Sequence, residues 1–314
     1  MDYYLYAVTF MVMALLSCDL ATHSVAEDPK DGTCREVEFL ISPAQLQAYL
    51  KEGVDLSVIE VSPIDQFQLG HIPAAQSLWR PDYTDASYPY GGMGAPHDQL
   101  ERLMIKSGVN EHNLLVLYDR KGNVDAARLR WLLEISGKKD VYLLDGGLHS
   151  WMSEGYPVDL KREQVSAGDF VFGEVSSTGI QLGWQEVREV LDDTSYVLLD
   201  TRTLEEYLGQ TQKKGASRAG RIPGSIHFDW MDTVNPDQDY VFRNCQEIDS
   251  MLGERGITST KNIITYCHTG VRSAHMAFVL KEIMGYSSVW NYDGSWTEWS
   301  YYDHLPIEKG KISL

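Results

Sequence analysis

The segment NIITYCHTGVRSAH, residues 262–275, decides the fold because its pattern changes from strand to helix within a few residues. Residues 263–266 form a short apolar run typical of a buried β-strand. Apolar residues then recur at the spacing of one helix face: Met276, Val279, Leu280, Ile283 and Met284. A second strand is predicted at 289–292, and strand, helix and strand within about 30 residues indicate a parallel βαβ unit.

The same order of motifs occurs twice in the chain. The first copy comprises VIEVSPIDQFQLGHIPAA (58–75), NLLVLYDRKGNVDAAR (113–128) and YLLDGGLHSW (142–151). The second comprises VLLDTRTLEEYLG (197–209), AGRIPGS (219–225), NIITYCHTGVRSAH (262–275) and WNYDGSWTEW (290–299). Blocks that recur in one order indicate a duplication. We therefore predict an α/β protein of two tandem domains, each a parallel sheet flanked by helices.

Composition excludes several classes of protein. The chain has 314 residues, with 45 acidic against 27 basic side chains and a formal net charge of −18. That balance disfavours a nucleic-acid partner, because binding phosphates requires a basic surface. A hydrophobic content of 43% excludes a disordered chain. No cysteine and histidine cluster has the spacing of a zinc site, so a structural metal site has no support in the sequence.

The first residues resemble a targeting segment. The apolar run 5–16 is shorter than a membrane span of about 20 residues and has the length of a signal's central region. Cleavage after Ala26 and a lipid anchor on Cys18 in the lipobox-like LLSC remain alternatives, as does a buried N-terminal helix. We predict that residues 1–34 are a signal segment and tether. The protein would then be exported, to the bacterial periplasm or cell envelope.

The chain contains four cysteines, which are too few for a disulfide scaffold. Cys34 and Cys245 could pair in an oxidising compartment, although sequence alone cannot show that they lie close together.

Cys267 follows the 263–266 strand, at the sheet edge where parallel α/β folds bind ligands. The short loop into the next helix turns backbone N–H groups inward and forms an anion cradle with the helix N-terminus. Gly270 permits the turn, Arg272 adds a positive charge, and Ser273 can cap the helix. These features predict a reactive thiolate with a pKa below about 8.5 rather than an inert buried cysteine.

The loop CHTGVRS (267–273) resembles the active-site loop of rhodanese sulfurtransferases. The blocks LLDTRTLEEY, GRIPGSIHFDW and YDGSWTEW around it resemble the same family. The first copy has a similar framework in EVSPIDQF, GHIPAAQSLW and LDGGLHSW, so the likeness covers residues 36–308. It implies two rhodanese-like domains, 36–160 and 178–310, joined by a linker at 161–177.

Asp119 occupies the cysteine position of the first copy. A carboxylate cannot accept a sulfur atom to form a persulfide, so the resemblance implies a catalytically silent first domain. In the second domain, the Cys267 thiolate would attack the sulfane sulfur of thiosulfate and release sulfite. A thiophilic acceptor, either cyanide or a thiol, would then remove the sulfur from the Cys267 persulfide.

Neither a lipid anchor nor the oligomeric state can be fixed from the sequence.

The resemblance also implies which residues bind the donor. The substrate-binding set comprises His268, Thr269, Gly270, Val271, Arg272 and Ser273 of the loop, together with Arg202. Asp200 and Glu206 would support the loop. For Asp200 and Arg202, a structural ion pair is an equal alternative to contact with the donor. Glu206 is expected to pair with Arg202 or Arg272.

Three other functions remain as alternatives. Mercaptopyruvate-using members of the family tend to have small, uncharged loops, whereas His268 and Arg272 favour an anionic donor such as thiosulfate. Against this, vertebrate-type thiosulfate rhodaneses place a second arginine where Glu206 stands. A non-enzymatic module would bind a partner or carry a persulfide without turnover, and a pure binding module would tolerate loss of the cysteine loop. A cysteine phosphatase is disfavoured, because its loop has one more residue between cysteine and arginine than the loop of Cys267 and Arg272.

Overall fold

The structure is a computed structural model that describes residues 37–138, 140–173 and 182–311. The predicted signal segment, with Cys18 and Cys34, lies outside the described residues. In the described part of the predicted linker, Phe170 and Phe172 are buried in the core rather than exposed. The domain boundaries given above stay a prediction.

The first domain is a five-stranded parallel sheet. Its strands are β1 (Leu40–Ile41), β2 (Leu56–Val61), β3 (Gln76–Leu78), β4 (Leu114–Tyr118) and β5 (Val141–Leu144). Its helices are α1 (Pro43–Glu52), α2 (Ile64–Phe67), α3 (His97–Lys106), α4 (Val124–Ile135) and α5 (Gly147–Ser153). The strand order is β1-β5-β4-β2-β3, and all the pairings are parallel.

The second domain repeats this arrangement. Its strands are β6 (Tyr196–Asp200), β7 (Ile226–His227), β8 (Val234–Asn235), β9 (Val241–Phe242), β10 (Asn262–Tyr266) and β11 (Val289–Asn291). Its helices are α6 (Trp184–Glu189), α7 (Leu204–Tyr207), α8 (Cys245–Gly253), α9 (Val271–Phe278) and α10 (Ser295–Tyr301). The main sheet runs β11-β10-β6-β7, and Leu182 bridges Tyr292 where β1 borders β5 in the first domain. The predicted tandem α/β fold is confirmed.

The central strands form because helices cover both of their faces. Residues 115–118 of β4 are completely buried, as are most residues of β10. Strands buried on both faces read as continuous apolar runs, which is the pattern the sequence shows. Since β4 and β10 are parallel to their neighbours, Asp119 and Cys267 leave the carboxyl edges of the two sheets at equivalent places.

The two domains pack through α4 and α9, whose apolar residues belong to one shared core. Arg128 of α4 crosses this interface. It pairs with the Asp293 carboxylate and donates to the carbonyl oxygens of Gly92 at 2.9 Å and Gly270 at 3.4 Å. Arg128 and Asp293 are both almost completely buried. A buried ion pair therefore ties the first domain to the loop that carries Cys267.

Asp145 and Asp293 occupy matching positions in the two copies, and the sequence suggests only turn residues there. Asp145 accepts a hydrogen bond from the Phe242 N–H at 3.0 Å, across the interface. Asp293 accepts a hydrogen bond from the Gly94 N–H at 3.0 Å. In this second bond the donor belongs to the first domain and the acceptor to the second. The duplicated aspartates thus hold each domain to a backbone segment of the other.

Replacing Arg128 with Met should destabilise the protein strongly. Breaking a buried pair leaves Asp293 uncompensated, which typically costs about 3–5 kcal/mol. Arg102→Met is the matched control, because its partner Asp98 is exposed on the same helix. The free energy of unfolding in urea should fall for Arg128→Met and stay unchanged for the control. Equal effects of the two substitutions would contradict a stabilising role for the Arg128–Asp293 pair.

Candidate active site

Cys267 lies directly after β10, and only 1% of it is exposed. The loop residues that follow it, His268 and Thr269, line a cleft. The Cys267 N–H donates to Ser295 Oγ at 3.1 Å, and its carbonyl accepts from the Trp296 N–H at 3.1 Å. Gly270 has a φ of +75° before α9. A Cβ at this position would lie 2.6 Å from the Asp293 carbonyl oxygen, so the turn requires glycine on both conformational and steric grounds.

The surroundings of Cys267 favour its thiolate. Burial opposes ionisation, but the Arg272 charge, the Ser273 hydroxyl and the backbone N–H groups of Ser273 and Thr269 outweigh it. Together they hold the pKa of Cys267 below the ordinary value for a thiol. These donors converge on the sulfur, which is the environment of a reactive nucleophile.

The equivalent loop of the first domain shows an anion bound in such a cradle. The Asp119 carboxylate accepts four backbone N–H groups, from Lys121 at 2.7 Å, Asn123 at 2.8 Å, Asp125 at 2.7 Å and Ala126 at 3.3 Å. Burial and the Asp125 charge nevertheless raise the pKa of Asp119 to about 6. The loop and helix start therefore bind a negative group. In the second domain the same backbone positions surround Cys267.

Arg272 is held by Glu206. Its Nη1 and Nη2 donate to the two carboxylate oxygens at 2.7 and 3.0 Å, and Lys213 Nζ lies 3.2 Å from the same carboxylate. Burial favours the neutral form of Glu206, but these cations outweigh it and lower its pKa to about 2. Both terminal nitrogens of Arg272 are thus engaged by Glu206. Arg272 therefore acts on Cys267 through its charge, and its terminal nitrogens bind Glu206 instead of an oxyanion.

Arg202 lies behind the loop, away from the cleft. Its Nε and Nη2 donate to the Asp200 carboxylate at 2.9 and 2.6 Å, and Nη2 also donates to the Gly220 carbonyl at 2.8 Å. Only 2% of Arg202 is exposed, and it packs 4.8 Å from the ring of Trp296. The structure does not bring this predicted substrate-binding residue to the site. Of the two alternatives, the contacts of Asp200 and Arg202 are those of a structural ion pair.

The first domain builds the same ion pair from a different loop. Arg120 pairs with Glu60 at 2.6 Å and donates to the Gly70 carbonyl oxygen. A tyrosine that ends the central strand donates to the acid at 2.7 Å in both domains: Tyr118 to Glu60, and Tyr266 to Asp200. Since the first domain, which has Asp119 at the cysteine position, contains this network too, the network does not depend on the cysteine.

The cleft above Cys267 has a volume of about 500 Å³ and lies between the domains. Its lining comprises Arg80, Lys121, Val124 and Asp125 from the first domain, and Lys213, Lys214, Trp230, His268, Thr269, Val271 and Arg272 from the second. Five cationic side chains thus face one carboxylate. The sequence reasoning missed the first-domain wall, because nothing in a single chain pattern shows which loops meet across an interface.

The remaining predicted loop residues have distinct places. His268 is partly exposed, its Nε2 lies 3.0 Å from the Lys214 carbonyl, and burial lowers its pKa. Thr269 contributes its backbone N–H to Cys267 and contacts the cleft with its side chain. Val271 begins α9 and lines the cleft. Trp230 forms part of the wall, whereas Trp296 and Trp299 are buried in the core.

Three further features concern parts of the protein outside the cleft. Cys245 is disulfide-bonded, and Cys34, the partner considered above, lies outside the described residues. Within the described ranges, no group of histidine, cysteine and acidic residues could hold a metal ion. No helix among the residues described is both long and apolar enough to cross a membrane.

Fold and site together define a class: a duplicated α/β protein with one thiol nucleophile in an anion cradle and one degenerate copy of that cradle. The model of the rhodanese-like domain matches residues 42–154 and 184–301. The chain belongs to the family of rhodanese-domain sulfurtransferases.

Two curated relatives cover most of the chain. The sulfur carrier protein TtuD of Thermus thermophilus is 34% identical, over 87% of this chain and 98% of that protein. The thiosulfate sulfurtransferase of Azotobacter vinelandii is 30% identical, over 86% and 96%. Among solved structures, the anaerobic ergothioneine biosynthesis enzyme of Chlorobium limicola superimposes with a TM-score of 0.77. It shares 23% identity, covers 88% of this chain and 71% of that chain, and shows a common fold.

Two substitutions should move the pKa of Cys267 in opposite directions. Arg272→Met removes the nearest positive charge, so the pKa should rise. Glu206→Gln removes the carboxylate that offsets Arg272, so the pKa should fall. The thiolate absorbance in the ultraviolet, taken against Cys267→Ser, gives the titration, and Arg102→Met serves as a distant control. Shifts of one sign in both variants would contradict the assigned electrostatics.

Proposed function

We propose that the protein transfers sulfane sulfur from thiosulfate to a thiophilic acceptor through a persulfide on Cys267. The observation that carries the proposal is the thiol itself: its pKa is lowered, and the loop that surrounds it lines a cationic cleft. The small sulfur donor and acceptor are its partners, and the proposal requires no cofactor. Curated relatives named thiosulfate sulfurtransferase in Azotobacter vinelandii and Corynebacterium glutamicum support this donor.

In the first half-reaction, the Cys267 thiolate attacks the outer sulfur of thiosulfate. A sulfur–sulfur bond to Cys267 forms, the donor's own sulfur–sulfur bond breaks, and sulfite leaves with its electron pair. The outer sulfur of the persulfide then carries a negative charge inside the cradle. The backbone N–H groups of Thr269 and Ser273 stabilise that charge, as the matching groups of the first domain stabilise the Asp119 carboxylate.

In the second half-reaction, the acceptor attacks the outer sulfur of the persulfide. The new bond joins that sulfur to the acceptor, and Cys267 leaves as a thiolate that is ready for the next donor. The lowered pKa increases the thiolate fraction of Cys267 and makes Cys267 a better leaving group than an ordinary thiol. Covalent catalysis of this kind gives ping-pong kinetics.

The residues of the Cys267 loop, rather than the charge of the cleft, favour thiosulfate over 3-mercaptopyruvate as the donor. Both donors are anions, so the net positive charge of the cleft does not distinguish between them. His268 and Arg272 replace the small, uncharged residues typical of mercaptopyruvate-using loops. A comparison of kcat/KM for the two donors tests this part of the proposal directly.

A second function is a persulfide carrier without small-molecule turnover. The relative in Thermus thermophilus, which is named a sulfur carrier protein, favours it. Both functions require the persulfide on Cys267 and differ only in its release. A carrier would accept one sulfur from thiosulfate and then stall with cyanide or free thiols, whereas an enzyme would turn over many times.

The roles of the first domain and of the N-terminal segment are also proposals. We infer that the first domain is silent, because the Asp119 carboxylate fills its cradle and the space beside it is only about 60 Å³. We also infer export to the cell envelope, and the disulfide at Cys245 supports an oxidising compartment. Fractionation of cells that express the full chain would test export.

Cys267→Ser should abolish thiocyanate formation from thiosulfate and cyanide, because an alkoxide forms far less readily than a thiolate at neutral pH. Mass spectrometry of wild type after thiosulfate treatment should show the gain of one sulfur atom on Cys267. The matched control is Asp119→Asn, at the same loop position in the first domain, which should keep the wild-type rate. Wild-type activity in Cys267→Ser, or loss of activity in Asp119→Asn, would contradict the assignment of Cys267 as the sulfur-accepting nucleophile.

A further inference from the structure

The charge of the cleft is opposite to that of the protein. The whole chain carries a formal charge of −18, yet five of the charged side chains lining the cleft are cationic and only Asp125 is acidic. Fixed charges within a concave site act on a ligand at short range, whereas distant surface carboxylates are screened over about 8–10 Å. The lining thus selects for a negatively charged ligand.

Three of the five cations already have a partner. Arg80 Nε donates to Asp125 at 2.6 Å. Arg272 and Lys213 share the Glu206 carboxylate. Among the residues that the structure describes, neither Lys121 nor Lys214 has a carboxylate within 4.0 Å of its ammonium group, although the Asp125 charge acts on Lys121 at longer range. One of these lysines belongs to each domain, and both line the cleft.

The cleft is also larger than the inorganic substrates need. Thiosulfate must place its outer sulfur on a buried thiol, so its oxygens stay close to the loop. A volume of about 500 Å³ lies in the range of sites that bind organic ligands. Lys121 and Lys214, one from each domain, therefore match a ligand that reaches beyond the cradle, with negative groups at a distance from its reacting atom.

We propose that Lys121 and Lys214 form a carboxylate-binding subsite for the sulfur acceptor, which is a small organic thiol bearing one or more carboxylates. This inference rests on the proposed function. The acceptor thiolate attacks the outer sulfur of the Cys267 persulfide, the bond to Cys267 breaks, and the acceptor leaves as its own persulfide. The silent domain thereby supplies a specificity-determining residue, Lys121, from the degenerate loop that has lost the nucleophile.

Ping-pong kinetics allow the two half-reactions to be measured separately. We would measure kcat/KM for thiosulfate, and for three acceptors at saturating thiosulfate: mercaptosuccinate, which is a dicarboxylate, 2-mercaptoethanol, which is neutral, and cyanide. The variants are Lys121→Gln, Lys214→Gln and both together, with Lys51→Gln on α1 as the matched exposed control. Each cleft variant should lose roughly five- to tenfold in kcat/KM for mercaptosuccinate, since a charged hydrogen bond is lost.

The same variants should change kcat/KM for 2-mercaptoethanol, cyanide and thiosulfate by less than about twofold. A parallel loss for the neutral thiol, or an equal loss for thiosulfate, would overturn the subsite. A wild-type protein that does not prefer mercaptosuccinate to 2-mercaptoethanol would overturn it as well. These failures leave thiocyanate formation intact. The proposed function fails in a different way, through the absence of thiocyanate and of the Cys267 persulfide.

Discussion

The convergence of backbone N–H groups at one strand end is the constraint on which the rest of the structure depends. A strand, a short turn with a positive-φ glycine, and a helix start direct several donors to one point, and that point requires a negative group. In the first domain, the Asp119 carboxylate occupies this point. In the second domain, the backbone N–H groups surround the Cys267 sulfur. One backbone arrangement therefore gives a closed structural cradle in one domain. In the other domain it gives a thiol whose ionised form is favoured.

Charge near the thiol is then adjusted by side chains. Arg272 lowers the pKa of Cys267, but Glu206 occupies its terminal nitrogens and fixes its position. Glu206 also binds Lys213 of the loop that is absent from the first copy. The result is a local field set by a few contacts within about one Debye length, which explains how a chain of net charge −18 can present a cationic site to an anion.

The sequence predicts those features that one segment determines by itself. The apolar run before Cys267, the helix face after it and the recurring blocks are local patterns, and they define the sheets, the duplication and the loop. The donors around Cys267 follow from the same pattern. Features that need two segments to meet were missed. Asp293 resembled a turn residue because its partners, Arg128 and the Gly94 N–H, come from the other domain. For Arg202 the sequence left donor contact and an ion pair with Asp200 as equal alternatives, because its other partners, the Gly220 carbonyl and the Trp296 ring, come from distant segments.

The first domain keeps a place in the active site although its own nucleophile position holds an aspartate. Helix α4 packs on α9, the helix whose N-terminus faces Cys267, and Arg128 binds both Asp293 and the Gly270 carbonyl. Removing the domain would expose that apolar face and leave a buried carboxylate without its cation. The loop after Asp119 also forms one wall of the cleft. These two roles do not require a nucleophile at position 119, because without the first domain the Cys267 loop would be neither supported nor enclosed.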